Sequence, residues 1–154
     1  FIQSSPIVMN HKGGELDNMS EVLLISGSGE KAKLDPIAML QRLQKDDDVT
    51  TKATIAVAYN PFFSLEKDQI TEHDRLLQKL QTNQVNKIYL QFGTDLQKLQ
   101  STLKWLSSSE IQYHNISISG SIFLPTKKLI AQQKFRPWNG VFLSEEFLSS
   151  EDNA

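Results

Sequence analysis

The chain has 154 residues, 39% of them hydrophobic and 22% charged, with a formal net charge of −2 and a pI near 5.9. That balance suits one domain with an ordinary hydrophobic core and supplies no global basic field for nucleic acid. The lack of cysteine excludes disulfides, thiolate metal sites and cysteine nucleophiles, and no apolar run approaches the ~18–20 residues of a membrane span.

Residues 1–20 mix serine, asparagine, glycine and charge, and are expected to be irregular. Ile7-Val8-Met9 suggests a short strand and Asn10-His11-Lys12-Gly13-Gly14 a loop. Phe1-Ile2-Gln3-Ser4 would suit the end left by a removed mitochondrial presequence. The absence of cysteine favours a reducing compartment. The expected location is therefore intracellular, cytoplasmic or mitochondrial.

Residues 21–154 read as a domain of repeated βα units. Glu21-Val22-Leu23-Leu24-Ile25, Thr54-Ile55-Ala56-Val57-Ala58 and Lys87-Ile88-Tyr89-Leu90-Gln91-Phe92 are short, nearly continuous apolar runs. Ile116-Ser117-Ile118 leads a fourth run, and Val141-Phe142-Leu143 suggests a shorter fifth strand. Such runs fit strands of a parallel sheet covered on both faces. Asp35-Pro36 is a helix start, because Asp caps and a first-turn Pro sacrifices no hydrogen bond. Ile37, Leu40 and Leu43 then share one face. Asp46-Asp47-Asp48 reads as a solvated turn, with no companion ligands for a metal. A long helix over 66–81 carries Ile70, Leu76, Leu77 and Leu80. Thr94-Asp95-Leu96-Gln97 has the pattern of a capping box, and Leu96, Leu99, Leu103 and Leu106 form an apolar stripe behind it. Pro125-Thr126 and Ser144-Glu145-Glu146 open two further helices.

Strand starts near residues 21, 54, 87 and 116 lie at intervals of 33, 33 and 29. A βαβ unit takes about 30 residues, so the period itself indicates an α/β repeat. Two architectures fit: a partial TIM-type barrel, or a five-stranded doubly wound sheet of the flavodoxin type.

In both, ligands bind at the carboxyl ends of the strands. The loops to examine begin at Ser26-Gly27-Ser28-Gly29-Glu30, Tyr59-Asn60-Pro61-Phe62, Gln91-Phe92-Gly93-Thr94 and Ser119-Gly120-Ser121. The first could cradle a phosphate or be a plain turn; it lacks the spacings of the known phosphate loops. Gln91 ends an apolar strand, so its amide needs either a ligand or a neighbouring backbone group. His11, His73 and His114 are far apart, and His73 lies at a surface or boundary of the long helix. Neither a nucleophile–base constellation nor a metal site can be argued. Trp105 packs at the edge of the leucine stripe. The aromatic stretch 135–142 is either a cap over one end of the sheet or a partner surface.

Taken in order, Ile25-Ser26-Gly27-Ser28, Val57-Ala58-Tyr59-Asn60-Pro61, Ile88-Tyr89-Leu90-Gln91-Phe92 and Gly120-Ser121-Ile122-Phe123-Leu124-Pro125 resemble the methylenetetrahydrofolate reductase family over about residues 21–126. The resemblance implies a flavin-bearing TIM barrel that passes reducing equivalents from a nicotinamide cofactor through FAD to a folate. It puts Ser26, Gly27, Ser28, Asn60, Glu72, Lys79 and Gln91 at cofactor-facing positions, with Gln91 where the family contacts flavin and folate. It also implies departures. Ser28 stands in place of the flavin-side Asp and Ser26 in place of Arg. Phe62 replaces a Glu, and Ser64 a His. A serine hydroxyl cannot supply the fixed charge that tunes a flavin ring. The expectation is therefore a catalytically altered or incomplete relative. It either completes its barrel with a partner or a missing N-terminal half, or serves as a non-catalytic assembly subunit.

Overall fold

A computed structural model describes residues 20–26, 34–45, 53–108, 115–121, 126–138 and 140–150. The segments 7–9, 10–14 and 46–48 discussed above lie outside these residues. Strand β1 (Glu21–Leu24) is followed by α1 (Pro36–Lys45), β2 (Thr54–Tyr59), α2 (Glu66–Leu80), β3 (Lys87–Leu90) and α3 (Leu96–Leu106). Then come β4 (Ser117–Ser119), α4 (Lys127–Phe135) and α5 (Glu145–Ser150). The chain is thus an α/β protein of alternating βα units. Its four strands form a parallel sheet in the sequential order β1-β2-β3-β4. The register pairs Val22 with Ile55, Val57 with Ile88, and Ile88 with Ile118.

Each of four helices starts where a side chain can take up an orphan backbone N–H. Asp35 accepts from the Ile37 N–H at 3.0 Å, ahead of Pro36 in the first turn of α1. Thr126 caps α4 through the Leu129 N–H at 3.2 Å, and Ser144 caps α5 through the Phe147 N–H at 3.2 Å. At α3 the cap is Asp95, which accepts from the Lys98 N–H at 3.0 Å, and not Thr94. The Thr94 hydroxyl is taken instead by Ser144, whose N–H donates to it at 2.7 Å.

The strand pleat divides the sheet into two unlike faces. Val22, Leu24, Ile55, Val57, Tyr59, Ile88 and Leu90 point to one side. There they form a core with Leu40 and Leu43 of α1, Leu76 and Leu80 of α2 and Leu106 of α3. The other side is not covered as the continuous runs led us to expect: Leu23 and Ile25 are exposed among the described residues. Polar groups occupy this face. Lys87 Nζ reaches Glu21 Oε2 at 2.9 Å, and Tyr89 donates to Glu21 Oε1 at 2.6 Å. This bridge runs from β3 to β1 across β2, over the small Ala56, which it helps to bury completely.

Two further expectations are corrected. The leucine stripe of α3 is only half buried: Leu106 is in the core, but Leu96 is 69% and Leu103 42% exposed. The helix is turned towards Thr102 and Trp105, because the large indole packs on His73 and Tyr59 and Thr102 hydrogen-bonds Tyr59. Ile70 of α2 is likewise exposed. Residues 141–143 form no strand. Phe142 makes one isolated parallel bridge to Gly93, just beyond β3. Pairing is cut short by Gly140, at φ +77°, on one side and by the Ser144 cap on the other.

Candidate functional site

The carboxyl ends of β1, β2 and β3 and the first turn of α1 surround a cavity of roughly 300 Å³. Ser26 follows β1, Asp35 opens α1, Asn60 follows β2 and Gln91 follows β3. Glu72, Arg75 and Lys79 come from α2. The last three are spaced i, i+3 and i+7, which puts them on one face of a helix. Ser26, Asn60, Glu72, Lys79 and Gln91, separated by up to 65 positions in the chain, therefore share one cavity. Gly27 and Ser28 lie outside the described residues.

Asp35 and Arg75 also line this cavity, and sequence reasoning missed both. Asp35 was read as a helix cap alone, a role it does fill. Arg75 was legible as the middle member of the row formed by Glu72 and Lys79.

The cavity holds two carboxylates and two cations. Among the described residues, no ion pair within 4.0 Å joins any of the four. Each carboxylate instead accepts a backbone N–H: Asp35 that of Ile37, Glu72 that of Asn60 at 3.0 Å. Lys79 is 8% exposed and reaches from the last turn of α2 to the Ala58 carbonyl, to which Nζ donates at 3.2 Å. Burial holds its ammonium below the ordinary lysine pKa, against the opposing pull of Glu72. A desolvated ammonium with three protons and one protein partner is under-satisfied, and an anion entering the cavity would complete it.

The two amides differ. Asn60 is committed to the chain itself. Its Oδ1 accepts from the Phe62 N–H at 3.1 Å, and its Nδ2 donates to the Gly140 carbonyl at 2.8 Å. It thereby ties the loop after β2 to the C-terminal segment, as does Phe63 against Phe142 with ring centroids 5.5 Å apart. Of the aromatic stretch, Phe142 thus takes part in a cap over this end of the sheet, whereas Phe135 stays exposed. Gln91 Oε1 accepts from the adjacent Phe92 N–H at 3.1 Å. Its Nε2 has no partner among the described residues and remains available to an occupant.

A second, more open groove of roughly 640 Å³ lies between α2 and α3. His73 stacks on Trp105 there at 4.2 Å and on Tyr59 at 5.7 Å. Burial lowers the His73 pKa, with Asp74 opposing, and raises that of Tyr59. His73 is thus a packing residue at a boundary, held towards its neutral form.

No protein-family model, curated protein or solved structure matches this chain. Among the described residues, no helix is long and apolar enough to cross a membrane, and no three His, Asp or Glu side chains converge to hold a metal ion.

Proposed function

We propose that this chain is part of a βα barrel of the methylenetetrahydrofolate reductase type, with the rim site retained as a binding site and the reductase chemistry altered. The observation that carries this reading is the convergence of Ser26, Asn60, Glu72, Lys79 and Gln91 on one cavity. These residues span positions 26–91, and the parallel βα order gathers them at the carboxyl ends of the strands, where the resemblance expects the cofactor. The strand order supports it as well. Four parallel strands in sequence order follow the succession of neighbouring barrel strands, whereas the flavodoxin order reverses at its first pair. In this reading the uncovered face of the sheet is the barrel interior. The remaining strands come from further βα units of the same protein or from a partner chain.

The lining fits one part of FAD better than another. Arg75, Lys79, the Gln91 amide and the first turn of α1 fit a phosphate-bearing segment. Roughly 300 Å³ is small for a dinucleotide, and among the described residues no aromatic side chain lines the cavity to face an isoalloxazine ring. FAD, when bound, supplies a ring that accepts and returns a hydride. This chain's own residues supply charge and position at the rim: Lys79 and Arg75 hold negative charge, Glu72 fixes the backbone of Asn60, and Gln91 presents a donor to flavin or a folate-like ligand. The sequence has Ser28 where the resemblance expects the flavin-side Asp. The expected behaviour is binding without turnover.

Titration with FAD, followed by quenching of flavin fluorescence and by the visible flavin band, tests this reading. Saturable binding with no NAD(P)H-driven reduction is expected. A colourless protein that leaves FAD fluorescence unchanged would remove the flavin reading. The exposed aromatic residues of the C-terminal region favour a second role as an interaction subunit.

A further inference from the structure

The groove between α2 and α3 shares no residue with the rim cavity. Part of its wall is a pair of half-buried rings: His73 and Trp105 lie 4.2 Å apart and 18° from parallel. Two carboxylates, Glu66 and Asp95, and one ammonium, Lys98, also line it. The ammonium is engaged by the chain, since Nζ donates to the Phe63 carbonyl at 2.7 Å. The carboxylates are largely free. Asp95 accepts from the Lys98 N–H through one oxygen. The side chain of Glu66 is exposed and has no hydrogen bond or ion pair among the described residues.

A further acceptor belongs to the same groove. Gln69 Nε2 donates to the Tyr59 hydroxyl at 2.8 Å and to the Asn60 carbonyl at 3.4 Å. A carbonyl only accepts, so this contact fixes which end of the amide is nitrogen. Gln69 Oε1 is then left buried and without a partner among the described residues. A buried acceptor left unmet is costly, and an N–H donor seated beside it relieves that cost. His73 adds no positive charge to oppose such a donor, because burial holds its imidazole towards the neutral form. Two carboxylates against one ammonium leave the lining with a formal charge of −1. The groove thus offers aromatic surface and a surplus of acceptors.

We infer that this groove is a second binding site, for a small molecule that carries a guanidinium group. The planar cation lies against the Trp105–His73 pair, as a guanidinium stacks on aromatic rings. Its N–H groups, held in a rigid fork, serve the Glu66 and Asp95 carboxylates and Gln69 Oε1 together. A compact ammonium lacks both the flat face and the spread of donors. The groove volume of roughly 640 Å³ falls within the usual ~300–1,000 Å³ of small-molecule sites. The inference rests on this groove alone and is independent of what the rim cavity binds.

Titration of the whole chain with butylguanidinium, followed by nitrogen–proton NMR, tests it. Saturable shifts are expected at the Trp105 indole N–H and the Gln69 side-chain amide, with a Kd at or below about 1 mM. Butylurea has the same shape without the charge, and butylammonium has the charge without the plane. Each should bind about tenfold or more weakly than butylguanidinium. The double variant Glu66→Gln/Asp95→Asn should weaken butylguanidinium binding by a similar factor, while its circular dichroism matches the parent, because Asn also caps a helix. The comparison of the three ligands uses the parent chain only, so it is decisive even where the substitutions disturb the fold. Absence of shifts at both groups up to about 20 mM would overturn the inference. So would butylurea or butylammonium binding as tightly, or a folded double variant of unchanged affinity.

Discussion

Gly93 lies where three parts of the rim meet: the end of β3, the bridge to Phe142 and the ring of Phe62. A Cβ placed on Gly93 would stand 2.5, 2.6 and 2.8 Å from three carbon atoms of the Phe62 ring. Ordinary contacts need about 3.5–4.0 Å, so the ring must retreat by about 1 Å. Phe62 is only 3% exposed, and a well-packed interior gives way at a cost of about 1–3 kcal/mol. The Gly93 backbone itself tolerates alanine, since its φ lies outside the left-handed region. The substitution therefore recovers about 0.4–1 kcal/mol from the unfolded state. The net expectation for Gly93→Ala is a loss of about 1–2 kcal/mol, which for a chain of this size lowers Tm by several degrees. Urea unfolding measures it. The decisive control is a cycle with Phe62→Leu: Gly93→Ala should cost clearly less when combined with that substitution, because the obstructing ring is gone. Equal costs with and without the ring, or a neutral Gly93→Ala, would refute the packing described for the rim.

Three other substitutions test separate parts of the molecule. Asn60→Ala removes the bonds to Gly140 and Phe62 and leaves the Phe62 N–H unpaired. A loss of about 2–3 kcal/mol is expected, with faster hydrogen exchange at 140–144; unchanged exchange would contradict the tie. His73 is held below its ordinary pKa by burial, so between its folded pKa and the unfolded value near 6.5 the unfolded chain binds more protons. Stability should therefore fall as pH drops through that window. His73→Phe, which keeps a ring against Trp105, should flatten this part of the Tm–pH curve; an unaltered slope would count against the stacked, neutral imidazole. Glu21 is held below the usual glutamate range by the Tyr89 hydroxyl and then by Lys87. Its contribution is present above the unfolded value of 4.5 and is lost as pH falls through the lower folded value. Glu21→Gln should shrink the acid limb of the same curve, and a parent-like acid limb would show that the bridge over Ala56 contributes nothing.

Much of the layout was legible before any coordinates. The regular strand interval, the Asp35-Pro36 start, and the helix openings at Thr126 and Ser144 are local signals, and the local physics carries through. What was not legible depended on distant partners. Thr94 fits a capping box by spacing, yet its hydroxyl is drawn to Ser144, fifty residues away, and Asp95 caps the helix. The α3 leucines have the period of a buried stripe, but Trp105 and Thr102 meet Tyr59 and rotate that helix. A continuous apolar run cannot say whether both faces of a strand are covered, and here Leu23 and Ile25 face outward. At the site, the strand ends pointed to Ser26, Asn60 and Gln91 and the resemblance alone to Glu72 and Lys79, and neither said what their atoms do there. Asn60 proved to be engaged internally at both ends of its amide, and Arg75 became significant only once Glu72 and Lys79 were seen on its helix face.

The rim cavity as an anion-binding site centred on Lys79 is tested most directly by the affinity for FAD of Lys79→Met beside that of the parent chain. Replacing a buried ammonium with an apolar side chain of similar length should leave stability equal or slightly raised. FAD binding, followed by fluorescence quenching, should weaken about tenfold or more, the effect of removing one charge-assisted contact. Lower affinity with undiminished stability is the expected result. Unchanged affinity, or affinity lost only in step with stability, would contradict the assignment of Lys79 to the binding site.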